Sequence, residues 1–145
     1  MLTTNQKGAI AETAIAHEAA KLGIGVFKPL ADERYDFIFD LRPRLVRVQC
    51  KWAVRRGGAL VIPFYSARRT RDGVVRNFYS PCEIDAFAAY CAELDRCYFI
   101  AGEDVIGRAT LQLRIDPPAN NQAVGVRWAK DYEFAATLPS QNAGP

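Results

Sequence analysis

The segment Leu45-Val46-Arg47-Val48-Gln49-Cys50-Lys51-Trp52 most limits the architecture open to this chain. Val46, Val48 and Cys50 alternate with Arg47, Gln49 and Lys51, the period of a half-buried strand, so Gln49 and Lys51 point the same way. The preceding run, Tyr35-Asp36-Phe37-Ile38-Phe39-Asp40-Leu41, also reads as a strand, and Arg42-Pro43-Arg44 reads as the turn between them. The expected hairpin brings Asp36 beside Gln49 and Lys51. A carboxylate, an amide oxygen and an ammonium then share one face.

That grouping suits phosphodiester hydrolysis, which uses a hard cation held by oxygen ligands and a positioned cation or base near the attacking water. Asp36 offers a charged oxygen, Gln49 a neutral one, the Cys50 carbonyl a further one, and Lys51 the ammonium. Glu12 joins them from a helix expected over about residues 6–22. There it shares a face with Ile15, Ala16 and Ala19, and a carboxylate on an apolar face needs a partner. A cation shared with Asp36 is one such partner; solvation at the edge of the face, or a pair with Lys7 or Lys51, is the other reading.

At 145 residues, half of them hydrophobic, the chain is long enough for one folded domain. We expect that domain over residues 1–137 and a flexible tail over 138–145. The cysteines Cys50, Cys82, Cys91 and Cys97 lack CxxC spacing and read as thiols of a cytoplasmic protein. No leader pattern or run of 18 apolar residues occurs, so no membrane partner is expected. His17, the one histidine, neighbours Glu18 and Lys21 and reads as solvated.

Net charge is +3, but residues 42–76 hold ten basic side chains against Asp72 alone, or +9, leaving −6 for the remainder. Such asymmetry is the footprint of a polyanion-binding surface. Residues 66–78, with Arg68, Arg69, Arg71 and Arg76, read as an exposed loop or hairpin tip able to enter a groove. Arg55 and Arg56 form a turn with Gly57 and Gly58.

Elsewhere, a short strand is expected near Val26, another over Ala59–Phe64 with Pro63 at an edge or strand end, and others at Cys97–Ile100 and Ala109–Ile115. Ser80-Pro81-Cys82-Glu83 has the form of a capping box, predicting a second helix to about Ala92. Phe87 and Tyr90 would lie on it, as core residues or interface residues. Asp40 is expected to balance Arg42 or Arg44. Asn120-Asn121-Gln122 and Arg127-Trp128 are open between base reading, subunit contact and turn capping.

Lys7-Gly8, then Glu12, then Asp36, then Gln49-x-Lys51, with Tyr79-Ser80-Pro81 through Tyr90 and Leu94 through Ile100, resembles the PD-(D/E)xK nuclease superfamily. Its intron-associated homing-endonuclease branch is the nearest likeness, over roughly Thr4 to Phe134. Tyr35 stands where the superfamily has its proline, and Gln49 where it has its second acid, a variant that active members of that branch also resemble.

The resemblance implies an α/β fold with a restriction-endonuclease-like mixed β-sheet core flanked by helices. It also implies a metal-dependent endonuclease that cuts double-stranded DNA at defined sequences. Catalytic residues would be Glu12, Asp36, Gln49 and Lys51, with Mg²⁺ or Mn²⁺ held by Asp36, Gln49, the Cys50 carbonyl and Glu12. DNA contacts would come from Lys7, Arg55, Arg56, Arg68, Arg69, Arg71 and Arg76, in a homodimer or homotetramer. A Holliday-junction-resolvase-like nuclease and a binding module on a decayed scaffold are the alternatives.

Overall fold

The computed structural model describes residues 1–105, 107–120 and 124–141, with the side chains of Ala67 and Arg68 outside that set. The long helix α1 (Thr4–Lys21) starts at a reciprocal cap: Thr3 Oγ1 accepts the Gln6 N–H at 3.1 Å and Gln6 Oε1 accepts the Thr3 N–H at 2.8 Å. Ala11, Ile15 and Ala19 form its buried stripe at four-residue spacing. Two alanines in that stripe let the helix lie close to the sheet beneath. Glu12 flanks the stripe, at the edge of the buried face.

After α1 come β1 (Gly25–Phe27), β2 (Phe37–Asp40), β3 (Leu45–Trp52), β4 (Val54–Arg56) and β5 (Ala59–Pro63). They are followed by β6 (Tyr65–Thr70), β7 (Gly73–Phe78), β8 (Ala86–Cys91), β9 (Arg96–Ala101) and β10 (Thr110–Arg114), and by a last turn of helix, α2 (Phe134–Thr137). The main sheet runs β1-β2-β3-β8-β9; a second sheet runs β10-β5-β4; β6 and β7 pair only with each other among the described residues. Every pairing in the main sheet is antiparallel except β3 with β8, so the sheet is mixed, as expected.

The expected hairpin forms as β2 and β3, with Phe37 opposite Val48. Val46, Val48 and Cys50 face α1 and pack with Ile15, Phe37, Phe39 and Ala88. On the other side of the sheet, Phe87, Ala89 and Ile100 pack against Leu60, Ile62, Leu111 and Leu113 of the second sheet. The order of layers is helix, main sheet, second sheet. Pro63 stands at the strand end of β5.

The helix expected from Ser80 to Ala92 is absent. Half of its cap forms, since Glu83 Oε1 accepts the Ser80 N–H at 3.2 Å and the Ser80 Oγ–H at 3.1 Å, and it closes a single turn. The next residues are taken into the sheet because Asp85 is fastened to Arg47. Its Oδ2 accepts the Arg47 N–H at 2.8 Å and Nε–H at 3.1 Å, and its Oδ1 accepts from Nη2 at 3.0 Å. This pairing holds the Asp85 carboxyl below the usual range, the Arg47 hydrogen bonds dominating. Strand β8 then runs through the centre, buried on both faces along its whole length, as parallel pairing favours. Phe87 and Tyr90 are therefore core residues and not surface ones.

The segment expected to be a free tail from residue 138 begins docked. Leu138 is buried and the Gln141 N–H bonds to the Leu22 carbonyl at 2.7 Å; residues 142–145 lie outside the described set. Asn121 and Gln122 also lie outside it. Arg127 and Trp128 tie the C-terminal segment to β10, through the bond from Arg114 N–H to the Arg127 carbonyl and the Arg114–Trp128 bridge. Asp40 accepts the backbone N–H of Arg42 at 3.0 Å, so it closes the hairpin turn in place of the expected charge pair with Arg42 or Arg44. Cys50, Cys91 and Cys97 are buried free thiols and Cys82 is an exposed one. Among the described residues no helix is long and apolar enough to cross a membrane.

Candidate active site

Strand β2 stops at Phe37 while β3 continues to Trp52, which leaves a notch in the sheet beside Cys50. Asp36 fills it. Its N–H bonds to the Val48 carbonyl at 2.9 Å, and its Oδ2 accepts the Cys50 N–H at 2.8 Å. Along a strand the N–H and C=O of one residue leave on the same side, so the Cys50 carbonyl is also directed toward the notch. Arg47 C=O and Ala53 N–H, two odd-numbered positions, are spent on the β8 side, which agrees with that alternation.

Burial, and next the negative charge of Glu12, hold the Asp36 carboxyl above the ordinary carboxylate range; the Cys50 N–H, Lys51 and Lys28 oppose them. Glu12 reaches the notch from α1 with 29% of its side chain exposed, 3.6 Å from Lys28 Nζ. Its partner is Lys28, not the Lys7 or Lys51 weighed from the sequence. Gln49 Oε1 is buried and, among the described residues, accepts no hydrogen bond. A buried amide oxygen left without a donor is costly, of order 1–3 kcal/mol.

Lys51 Nζ donates to the Tyr65 carbonyl at 3.0 Å and to the Tyr79 hydroxyl at 3.1 Å. Burial brings its pKa down to about 8, with the nearby Arg34 charge acting the same way and Asp36 opposing. An ammonium has three donors. Two are spent within the protein and one is left.

Asp36, the Cys50 backbone, Glu12 and Lys51 are thus within electrostatic reach of one another, and Gln49 stands between Cys50 and Val48 on the same strand with its amide oxygen buried. The set fits a hard divalent cation, because such an ion relieves the Asp36 carboxyl, which burial and the Glu12 charge disfavour, and accepts neutral amide and peptide oxygens of the kind Gln49 and Cys50 carry. Among the described residues no three His, Cys, Asp or Glu side chains gather as ligands. The Cys50 thiol is pushed far up by burial and is no nucleophile.

The basic residues divide. Arg69, Arg71 and Arg76 are exposed on the β6–β7 ribbon, Arg76 with its guanidinium 4.6 Å from the Tyr65 ring centroid, and Arg56 is exposed on β4. The Arg68 side chain lies outside the described set. Lys7 Nζ sits 5.8 Å from the Trp52 ring centroid, at the far end of β3. Arg55 is partly neutralised within the chain, 3.9 Å from Glu93 and 3.8 Å from Asp116, and Arg47 is held by Asp85. These two belong less to a polyanion surface than a charge count suggests.

Sequence reasoning missed Lys28, Arg34 and Tyr79. Arg34 stacks on the Tyr79 ring at 4.2 Å and Lys51 Nζ approaches the same ring at 4.6 Å. Tyr79 lay in view as the residue before Ser80-Pro81; Arg34 lay outside the basic window that began at Arg42.

Where β2 ends beside the central strand β3, a carboxylate clasps the Cys50 N–H one residue before Lys51, an arrangement that suits phosphodiester hydrolysis. The comparisons agree: a family model described as PD-(D/E)XK endonuclease matches residues 2–135, and the chain belongs to that family. It is accordingly a DNA endonuclease of a superfamily in which metal dependence is general. Among solved structures it is similar to a bacterial homing endonuclease, I-Ssp6803I, with TM-score 0.75 and 29% identity over 92% of this chain and 90% of that one. None of the curated proteins matches it.

Proposed function

We propose that this chain cuts double-stranded DNA at defined sequences, as a homing-type endonuclease, with Mg²⁺ as its working ion and Mn²⁺ as a substitute. Asp36, Gln49 and the Cys50 carbonyl hold the ion, and Glu12 joins as a direct or water-mediated ligand. A divalent ion held by these residues would supply Lewis-acid polarisation of a phosphate oxygen and a more nucleophilic water near neutral pH.

Lys51 does the remaining work with its unspent donor. It orients the attacking water in line with the phosphorus and stabilises the charge that gathers on the phosphate oxygens in the transition state. The Tyr65 carbonyl and the Tyr79 hydroxyl fix that ammonium in place. As the water oxygen bonds to phosphorus it gives up a proton to solvent, the bond to the leaving sugar oxygen breaks, and that oxygen takes up a proton from solvent.

The β6–β7 ribbon rises from the same point, since its first residue, Tyr65, is the one that holds Lys51. Strand β7 is exposed throughout. A two-stranded ribbon carrying Arg69, Arg71 and Arg76 suits the width of a DNA major groove, and Lys7 and Arg56 add phosphate contacts. Cutting both strands takes two such sites, so the working unit is a homodimer or homotetramer.

The observation that carries this reading is the Asp36 carboxyl, held on the Cys50 N–H and disfavoured by burial and by the Glu12 charge, with Gln49 on the same strand offering a buried amide oxygen that no donor among the described residues reaches. It is tested by metal titration of folded protein followed by thermal unfolding. Gln49→Glu restores a second charge and is expected to bind Mg²⁺ at least tenfold tighter. Gln49→Leu is expected to lose at least tenfold, about 1.4 kcal/mol. Equal Mg²⁺ affinity in wild type, Gln49→Glu and Gln49→Leu would remove Gln49 from the metal site.

A further inference from the structure

Arg34 lies in the loop between β1 and β2, two residues before Asp36, and no charge count drew attention to it. Its guanidinium is 4.2 Å from the Tyr79 ring centroid, its Nη2 donates to the Phe78 carbonyl at 3.3 Å, and its Nε is 3.3 Å from Glu83 Oε2. That last approach is an ion pair without hydrogen-bond geometry, because Nε is buried and makes no hydrogen bond. Among the described residues Nη1 has no hydrogen-bond partner, and 28% of the side chain is open to solvent.

Lys51 Nζ approaches the same ring at 4.6 Å. Two cations therefore meet at one tyrosine and repel one another. Such repulsion is relieved by an anion between or beside them. Guanidinium on an aromatic face is the rigid, planar form of arginine that forks a phosphate.

Resting on the nuclease reading above, we propose that Arg34 contacts a DNA phosphate beside Lys51, with Tyr79 as the residue that positions both cations. The loop of Arg34 then serves twice: it delivers Asp36 to the metal ligands and Arg34 to the backbone of the nucleic acid. Glu83 and the Phe78 carbonyl restrain Arg34 through Nε and Nη2, so Nη1 is the donor that stays available to a phosphate.

The test is equilibrium binding of a random-sequence duplex in EDTA, where nothing is cut, at several salt concentrations. Each phosphate contact adds about 0.9 to the slope of log affinity against log salt. Arg34→Met keeps an apolar stem over Tyr79 and is expected to lower the slope by about 0.9, whereas Arg34→Lys and Glu83→Gln keep it at the wild-type value or above. An unchanged slope in Arg34→Met, or an equal fall in Glu83→Gln, overturns the proposal and leaves the nuclease reading standing. A wild type with no salt-sensitive binding overturns both.

Discussion

Asp36→Ala is expected to abolish metal-dependent cutting, a loss of more than about a thousandfold, comparable with or beyond the removal of one preorganised charge at a reacting centre. Two roles would end together: the charged metal ligand proposed above, and the acceptor of the Cys50 N–H at 2.8 Å. The second role is structural, and a stranded N–H costs about 1–3 kcal/mol. Asp36→Asn separates them, because the amide oxygen still accepts from Cys50 while the charge is gone.

The sign of the stability change is fixed by the electrostatics. Burial and Glu12 raise the Asp36 pKa in the folded chain. A carboxyl of this kind favours folding when protonated, and that contribution is lost as pH rises through its raised folded-state pKa. At neutral pH without metal, Asp36→Asn should thus be at least as stable as wild type, yet inactive. Divalent cation at 100 times its dissociation constant should add about 2.7 kcal/mol to the wild type and much less to Asp36→Asn. Thermal unfolding with and without Mg²⁺ reads both effects, and an equal metal-induced shift in the two proteins would remove Asp36 from the ligand set.

Lys51→Ala is the second large effect. Loss of one positioned donor at the developing charge costs about 2.7–4 kcal/mol, so turnover should fall at least a hundredfold. The substitution also frees the Tyr65 carbonyl and the Tyr79 hydroxyl at the base of the ribbon, so duplex affinity must be measured beside the rate. A fall of less than tenfold with folding and binding intact would contradict the role given to Lys51. A rate loss that merely follows lost affinity would make Lys51 a support for the ribbon.

How much of this was legible follows from where the signals lie. The β2–β3 hairpin could be read because one face of β3 is buried and the other is not, so Val46, Val48 and Cys50 mark one side and Gln49 and Lys51 the other. The same hairpin placed Asp36, with one refinement. Asp36 stands just before the strand and clasps β3 at Val48 and Cys50, which sets it at the sheet edge where Glu12 from one side and Lys51 from the other both reach it.

Strand β8 was illegible for the opposite reason. Buried on both faces, Ala86–Cys91 has no alternation to show, and a continuous apolar run after a capping-box sequence reads as a helix. What decides between them is Arg47, distant in sequence, whose guanidinium holds Asp85 at the entry to the strand. Arg34 and Lys28 were hidden because they sit in a connecting segment, where no periodicity assigns a side chain to a face. Their roles are set by Tyr79 and Glu12, contacts made only after the chain folds.

The most direct test of the central claim is incubation of the purified protein with a pooled random-sequence duplex and a four-way junction, in Mg²⁺, Mn²⁺ and EDTA, with sequencing of the ends. Cutting of the linear duplex in either metal and not in EDTA, at ends that share a sequence, is the predicted result. Salt-sensitive retention of DNA in all three buffers with no cutting would contradict it, as would cutting confined to the junction.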